Sequence, residues 1–165
     1  MRKEEVKAIT LYQPYAQLLA VGAKKFETRS WSTSYRGSIA IHAGKKHVDA
    51  RRYSNDHLHK FAEGLDLPMT YNFDGLPYGA VIATAELTNC YEIIASAGCE
   101  LSGMSSVMIN TADGIYIPTE EELLFGDWQI GRYAWEFANI NMLSEPVPAK
   151  GYQRLWKWEP VCESA

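Results

Sequence analysis

The sequence predicts an α+β or small-barrel fold with two or three short helices. Three observations carry this. Several segments run or alternate apolar as strands do, few stretches have helical spacing, and the two kinds do not alternate regularly. A parallel nucleotide-binding sheet is disfavoured, because no G-x-G-x-x-G follows a strand and no G-x-x-x-x-G-K-[ST] occurs. The 165 residues suit a single domain, 1–165, with a real core.

The elements read in order as follows. Val6 to Tyr12 is a short strand. Pro14 fits a first helical turn, and Ala16, Leu18, Leu19, Ala20 and Val21 suit a helix that Gly22 ends. Residues 25–31 form a strand with Lys25, Glu27, Arg29 and Trp31 on one face and Phe26, Thr28 and Ser30 on the other. Tyr35-Arg36-Gly37 is a turn, and Ser38 to Ala43 a compact apolar strand. Residues 46–63 read as a polar helix, and Leu67 to Leu76, with its Pro, Asn, Asp and Gly, as a loop. Gly79 to Leu87 is the clearest strand, with Val81, Ala83, Ala85 and Leu87 in phase. Residues 91–120 read as a loop or lid rich in Ser, Gly and Met. Gly126-Asp127-Trp128 is a turn, Arg132 to Met142 a strand, and Pro146 and Pro148 bracket a connection. Residues 150–158 close the domain, and the last few residues are expected to fray.

Composition narrows the function. The net charge of −4 argues against coating nucleic acid through overall charge, yet permits a local basic pocket. The cations cluster at Lys24, Lys25 and Arg29, at Lys45, Lys46, Arg51 and Arg52, and at Lys150, Arg154 and Lys157, while Glu120, Glu121 and Glu122 mass elsewhere. The three cysteines, Cys90, Cys99 and Cys162, are odd in number and form no C-x-x-C. A reducing compartment, the cytoplasm, is the simple expectation. No signal-peptide core and no apolar run of the roughly 20 residues of a membrane span is found, so no membrane partner is expected. His57 and His59 do not share a helical face, and neither a metal nor a cofactor is expected.

The most informative stretch is Gly22 to Trp31, with its cations, a carboxylate and two aromatics. That mixture suits a polar ligand with a flat face. Arg29 can hold a phosphate or carbonyl in a fork, Glu27 can accept from an exocyclic amine, and Lys24 supplies a point charge. The blander alternative is a solvated strand face with a salt bridge worth about 0–1 kcal/mol. Trp31, Tyr35 and Tyr15 are candidate stacking surfaces, with Trp31 first. Trp135 and Trp156 read as core. His42 ends a strand and is either a site member or a hydrogen-bonded structural residue. The Lys45-Lys46 and Arg51-Arg52 pairs read as a wet helix face able to guide an anion at low salt.

Leu11-Tyr12-Gln13-Pro14-Tyr15-Ala16, Gly22-x-Lys24-x-x-Glu27-x-Arg29-x-Trp31, Tyr35-Arg36-Gly37 and His42-Ala43 together resemble the ASCH domain. Gly79 to Leu87, Gly131 to Trp135 and Lys150-Gly151-x-x-x-Leu155-Trp156-Lys157 fit it as well. The resemblance spans about residue 8 to residue 158. It implies a PUA-like β-barrel flanked by short helices, with the G-x-K-x-x-E-x-R residues on the wall of a cleft between them. It also implies binding of RNA or a nucleotide-like small molecule, with DNA possible, through Lys24, Glu27, Arg29, Trp31, Tyr15, Tyr35 and His42. Oligomeric state is left open.

Two alternatives stay open. Some small relatives are amidohydrolases acting on N4-acetylcytidine, and one related type is described as a ribonuclease. Lys24 and Glu27 would then be the catalytic candidates. The amidohydrolase-like members, however, carry Thr where this chain has Glu27, and a carboxylate is a different tool from a nucleophilic hydroxyl. Thr28 is the adjacent hydroxyl, turned by strand alternation to the other face. Glu86 and Glu100 match a third catalytic carboxylate by type only. The second alternative is a protein-interaction module.

Overall fold

The computed structural model describes residues 5–69, 71–96 and 106–160. Its elements are β1 (Val6–Leu11), α1 (Tyr15–Ala20), β2 (Phe26–Arg29), β3 (Gly37–Ala43), a 3-10 turn at Ala50–Arg52 and α2 (Asn55–Gly64). Then come β4 (Ala80–Glu92), β5 (Ile94–Ala95), β6 (Val107–Thr111), β7 (Gly114–Tyr116), α3 (Glu120–Leu124), β8 (Tyr133–Pro148) and β9 (Leu155–Trp158). The mixture is α+β, dominated by strands.

Six strands form the main sheet in the order β2-β8-β4-β3-β1-β9, and β5-β6-β7 form a second, small one. Among the described residues only β1 and β3 pair in parallel; the other ladders are antiparallel. The expected barrel is not closed by hydrogen bonds: β2 and β9 are the two edges of the main sheet. Side chains span the gap instead. Arg29, the last residue of β2, donates from Nη2 to the Thr10 carbonyl of β1 at 2.8 Å. Arg154, immediately before β9, lies with its guanidinium carbon 5.2 Å from the Trp31 ring centre. Register shifts along β4 and β8, at Val81/Ala83, Thr84/Glu86 and Leu87/Asn89, are the irregularities that let such long strands bend.

The core follows the apolar pattern. Ile9, Leu11, Leu19, Ile39, Ile41, Ala83, Leu87 and Trp135 pack between α1 and the sheet. A second cluster, Leu18, Phe61, Phe73 and Phe125, fastens α2 and the segment after α3 to the other face of α1. Gly22 (φ 82°) ends the α1 turn as expected.

Three expectations need correction. The polar helix starts only at Asn55, because Ser54 caps it by accepting from His57 N; Asp49 caps the separate 3-10 turn. Within the described residues the stretch from 91 to 120 is not a single loop: it carries the end of β4, then β5, β6, β7 and the start of α3, while residues 97–105 lie outside the described residues. Pro146 and Pro148 lie inside β8 rather than in a connection. Prolines are tolerated there because β2 pairs only with residues 133–136 of β8, so the far end of β8 has a ladder on one side alone. Glu100, Cys99 and Cys162 lie outside the described residues.

Candidate functional site

A cleft of 1340 Å³ opens where the two sheet edges approach. One wall comes from Glu27 to Trp31, and another from the segment Lys150 to Arg154 that leads into β9. Thr10, Tyr12, Tyr15, His42 and Lys45 line it too, as do Phe125 to Asp127, Arg132 and His57. Strand alternation explains the first wall: Phe26 and Thr28 are buried, whereas the Glu27 and Arg29 side chains, 13% and 23% exposed, reach the surface on the opposite face.

Glu27 is held from two sides. Its Oε2 lies 3.5 Å from Lys24 Nζ, and its Oε1 lies 3.1 Å from Arg29 Nε. The second contact is a charge pairing without hydrogen-bond geometry, since Arg29 Nε has no hydrogen-bond partner. Arg29 is further fixed by its bond to the Thr10 carbonyl. The result is an immobilised carboxylate at the cleft wall, with its charge balanced from behind and beside.

Lys24 departs from the expectation. Its side chain is fully buried, it does not line the cleft, and its ammonium donates to the Phe125 carbonyl. It orders Glu27 and the end of α3 rather than presenting a charge to a ligand. Glu122, in the sequence one of three consecutive acids, completes this arrangement. It is buried, accepts the Lys25 backbone N–H through Oε1, and leaves Oε2 without a partner. Burial pushes its carboxyl above the usual range, opposed by the Lys25 N–H and the neighbouring Lys24. Thus α3 pins the start of β2, and with it the register of Glu27 and Arg29.

Tyr35 also lies away from the cleft. It packs against the main core, and its hydroxyl donates to the Ser38 carbonyl. Trp31 lines the cleft, but its ring already has two partners: a T-shaped contact with Trp135 at 4.7 Å between ring centres and the Arg154 guanidinium. Tyr15 shows part of its ring, wedged against Tyr53 and Phe61, and burial raises its hydroxyl pKa strongly. Two aromatics outside the expected set are more exposed, although each also carries a cation, Lys46 Nζ at 5.6 Å from the Tyr12 ring centre and Lys150 Nζ at 5.5 Å from that of Tyr152, and Tyr152 meets Trp156 edge to face. Tyr12 is 60% and Tyr152 54% exposed, and both line the cleft. Their signal was present: Tyr12 follows the strand whose end faces the cleft, and Tyr152 sits in the closing Lys150–Lys157 motif.

His42 proves to be a structural bolt. Ala149 offers only a carbonyl, so His42 Nε2 carries the proton and donates to it at 2.9 Å. Nδ1 then accepts from the Thr10 hydroxyl at 3.2 Å, and that hydroxyl accepts from Trp156 Nε1 at 3.1 Å. Burial, together with nearby Lys45, lowers the imidazole pKa, against the opposing pull of the Ala149 carbonyl. Gly151 lies directly on this ring: a Cβ there would stand 2.4 Å from His42 Cε1. The closing segment is therefore seated on β3 and β1 at one place where only glycine fits.

Glu86 is exposed, bonded to Asn139 Nδ2 at 3.0 Å, and outside the cleft. Among the described residues no three His, Cys, Asp or Glu side chains gather as a metal-ligand set, and no helix is long and apolar enough to cross a membrane.

Fold and site together define an α+β structure with a polar, cation-lined cleft between the edges of an open sheet. The chain belongs to the ASCH domain family, whose model matches residues 9–146. Over 83 residues it is 29% identical to Activating signal cointegrator 1 of Mus musculus. That stretch covers 50% of this chain and 14% of that protein, so the chain spans only a small part of its relative's length.

Proposed function

We propose that the cleft binds single-stranded RNA, with Glu27 reading the amine-bearing edge of one base. The observation that carries this is the fixed carboxylate of Glu27 on the wall of a 1340 Å³ hollow. An ionised carboxylate is an acceptor only, so it selects donors such as an exocyclic amine. Small-molecule pockets run to about 1,000 Å³, so a hollow of this size suits a segment of more than one nucleotide. The exposed rings of Tyr12 and Tyr152 offer stacking faces, each worth about 1–3 kcal/mol in single-strand binders. Membership in a family thought to bind RNA supports the same reading.

The geometry favours binding over hydrolysis. A Lys24 base or nucleophile would have to meet substrate, whereas its ammonium is buried and turned to the Phe125 carbonyl. The test is fluorescence anisotropy of a labelled single-stranded RNA with wild type, Glu27→Gln and Arg29→Ala. Weaker binding by both variants, with folding retained, is expected. Equal affinity in all three would reject this cleft as the RNA site. Turnover of N4-acetylcytidine or of the RNA, lost in Glu27→Gln, would move the assignment to a hydrolase.

A further inference from the structure

We propose that Lys45, Lys150 and Arg154 form a phosphate-binding rim on one lip of the cleft. The proposal rests on the cleft reading above and adds the place of the backbone phosphates.

Among the described residues five cations line the cleft: Arg29, Lys45, Arg132, Lys150 and Arg154. Two are neutralised internally, Arg29 by Glu27 and Arg132 by Asp127 at 3.4 Å. Lys45, Lys150 and Arg154 make no ion pair among the described residues. Lys150 and Arg154 rest on aromatic faces, Lys150 at 5.5 Å from the Tyr152 ring centre and Arg154 on Trp31. A ring positions a cation without cancelling its charge, which leaves that charge for an anion.

The rim is also built rather than scattered. The stem of Lys45 lies on Gly79, where a Cβ would meet its Cγ at 2.9 Å. Gly79 N–H donates to the Ala43 carbonyl at 2.8 Å, and the Gly79 carbonyl accepts from Ala149 N at 3.0 Å. One residue thus ties the Lys45 strand end to the Lys150 segment. His42 bolts that same segment through the Ala149 carbonyl, and Lys45 is close enough to depress the His42 pKa. Excess positive charge at one lip, in a chain of net charge −4, marks a local anion site. The ligand class follows from the combination. An acidic peptide brings carboxylates against Glu27. A nucleotide keeps a donor edge for Glu27 and an anionic group for the rim, held apart by its sugar.

The experiment measures RNA affinity against salt. The probe is a fluorescein-labelled single-stranded RNA of about ten nucleotides, within the site sizes of single-strand binders. The full chain is compared with the Lys45→Gln/Lys150→Gln/Arg154→Gln triple variant, the three single variants, and Lys157→Gln as an exposed cation outside the cleft. Each phosphate contact contributes about 0.7 to the slope of log affinity on log salt. The triple variant is expected to lose about 2 from the slope, so that between about 50 mM and 200 mM salt its affinity falls about twentyfold less than that of wild type. Each single variant loses about 0.7, Lys157→Gln loses nothing, and the single variants carry the test if the triple one melts early. An unchanged slope with RNA still bound overturns the rim alone. Absence of RNA binding by wild type overturns the cleft reading and the rim together. Displacement of the RNA by a glutamate-rich peptide at comparable concentration would reassign the lip to an acidic polypeptide.

Discussion

Gly151→Ala is the sharpest perturbation the structure offers. The added methyl would lie 2.4 Å from His42 Cε1, 2.6 Å from its Nδ1 and 2.8 Å from Thr10 Oγ1. None of these neighbours can yield easily, because the ring is held at both nitrogens and Thr10 is bonded to it and to Trp156. The segment must therefore lift. Overpacking of this kind costs about 1–3 kcal/mol, and losing the His42 to Ala149 bond adds about 1 kcal/mol. A total of about 2–4 kcal/mol corresponds to a fall in melting temperature of roughly 4–16 °C for a chain of this length. Urea and thermal unfolding measure the loss, and RNA anisotropy on the same samples measures the cleft. A melting temperature within about 2 °C of wild type, with RNA affinity retained, would refute the claim that the closing segment is seated on His42.

Further outcomes follow from single contacts. His42 sits below its ordinary pKa in the fold because of burial, so between the folded and ordinary values the unfolded chain binds the extra proton. Its contribution to stability is complete above the ordinary histidine pKa of about 6.5 and is lost as pH falls through the folded value. Chemical denaturation across this range should show a weaker acid loss in His42→Gln. Glu122→Ala leaves the part-buried Lys25 N–H without its acceptor and should cost about 1–3 kcal/mol in urea unfolding, whereas Glu122→Gln, which keeps an acceptor, should cost less. Tyr12→Ala and Tyr152→Ala should each weaken RNA binding by about 1–3 kcal/mol. Both rings are more than half exposed, so their melting temperatures should stay close to wild type.

How much could be read beforehand depended on whether the cause was local. Alternation along residues 26–29 placed Glu27 and Arg29 together, because period-two geometry is set by the strand itself. The same reasoning could not place Lys24, which lies in the turn, where direction depends on the Phe125 carbonyl about a hundred residues away. Glu122 was hidden for a related reason: three consecutive acids look like a solvated face until one is seen buried against the Lys25 backbone. Tyr35 was misplaced because it lies outside β2, where alternation no longer applies, and its hydroxyl turns back to Ser38. The lengths of β4 and β8 were underestimated because their bulges break the apolar phase, and the prolines near the end of β8 imitate a connection.

The charge distribution finally explains how an acidic chain presents a cationic lip. Carboxylates that could neutralise the cleft are used elsewhere. Glu27 is committed to Lys24 and Arg29, Asp127 to Arg132, Glu122 to the Lys25 backbone, and Glu121 to Lys60. Among the described residues none of these pairings involves Lys45, Lys150 or Arg154. Lys45, Lys150 and Arg154 are seated instead on Gly79, Tyr152 and Trp31, which hold their stems and heads without opposing charge. Adding an acid at Gln153, the cleft residue between Tyr152 and Arg154, would test this directly. Gln153→Glu should lower RNA affinity at low salt and flatten the salt dependence while leaving stability within about 0.5 kcal/mol, as is usual for an exposed position. Equal salt slopes in Gln153→Glu and wild type would show that the anion lies elsewhere.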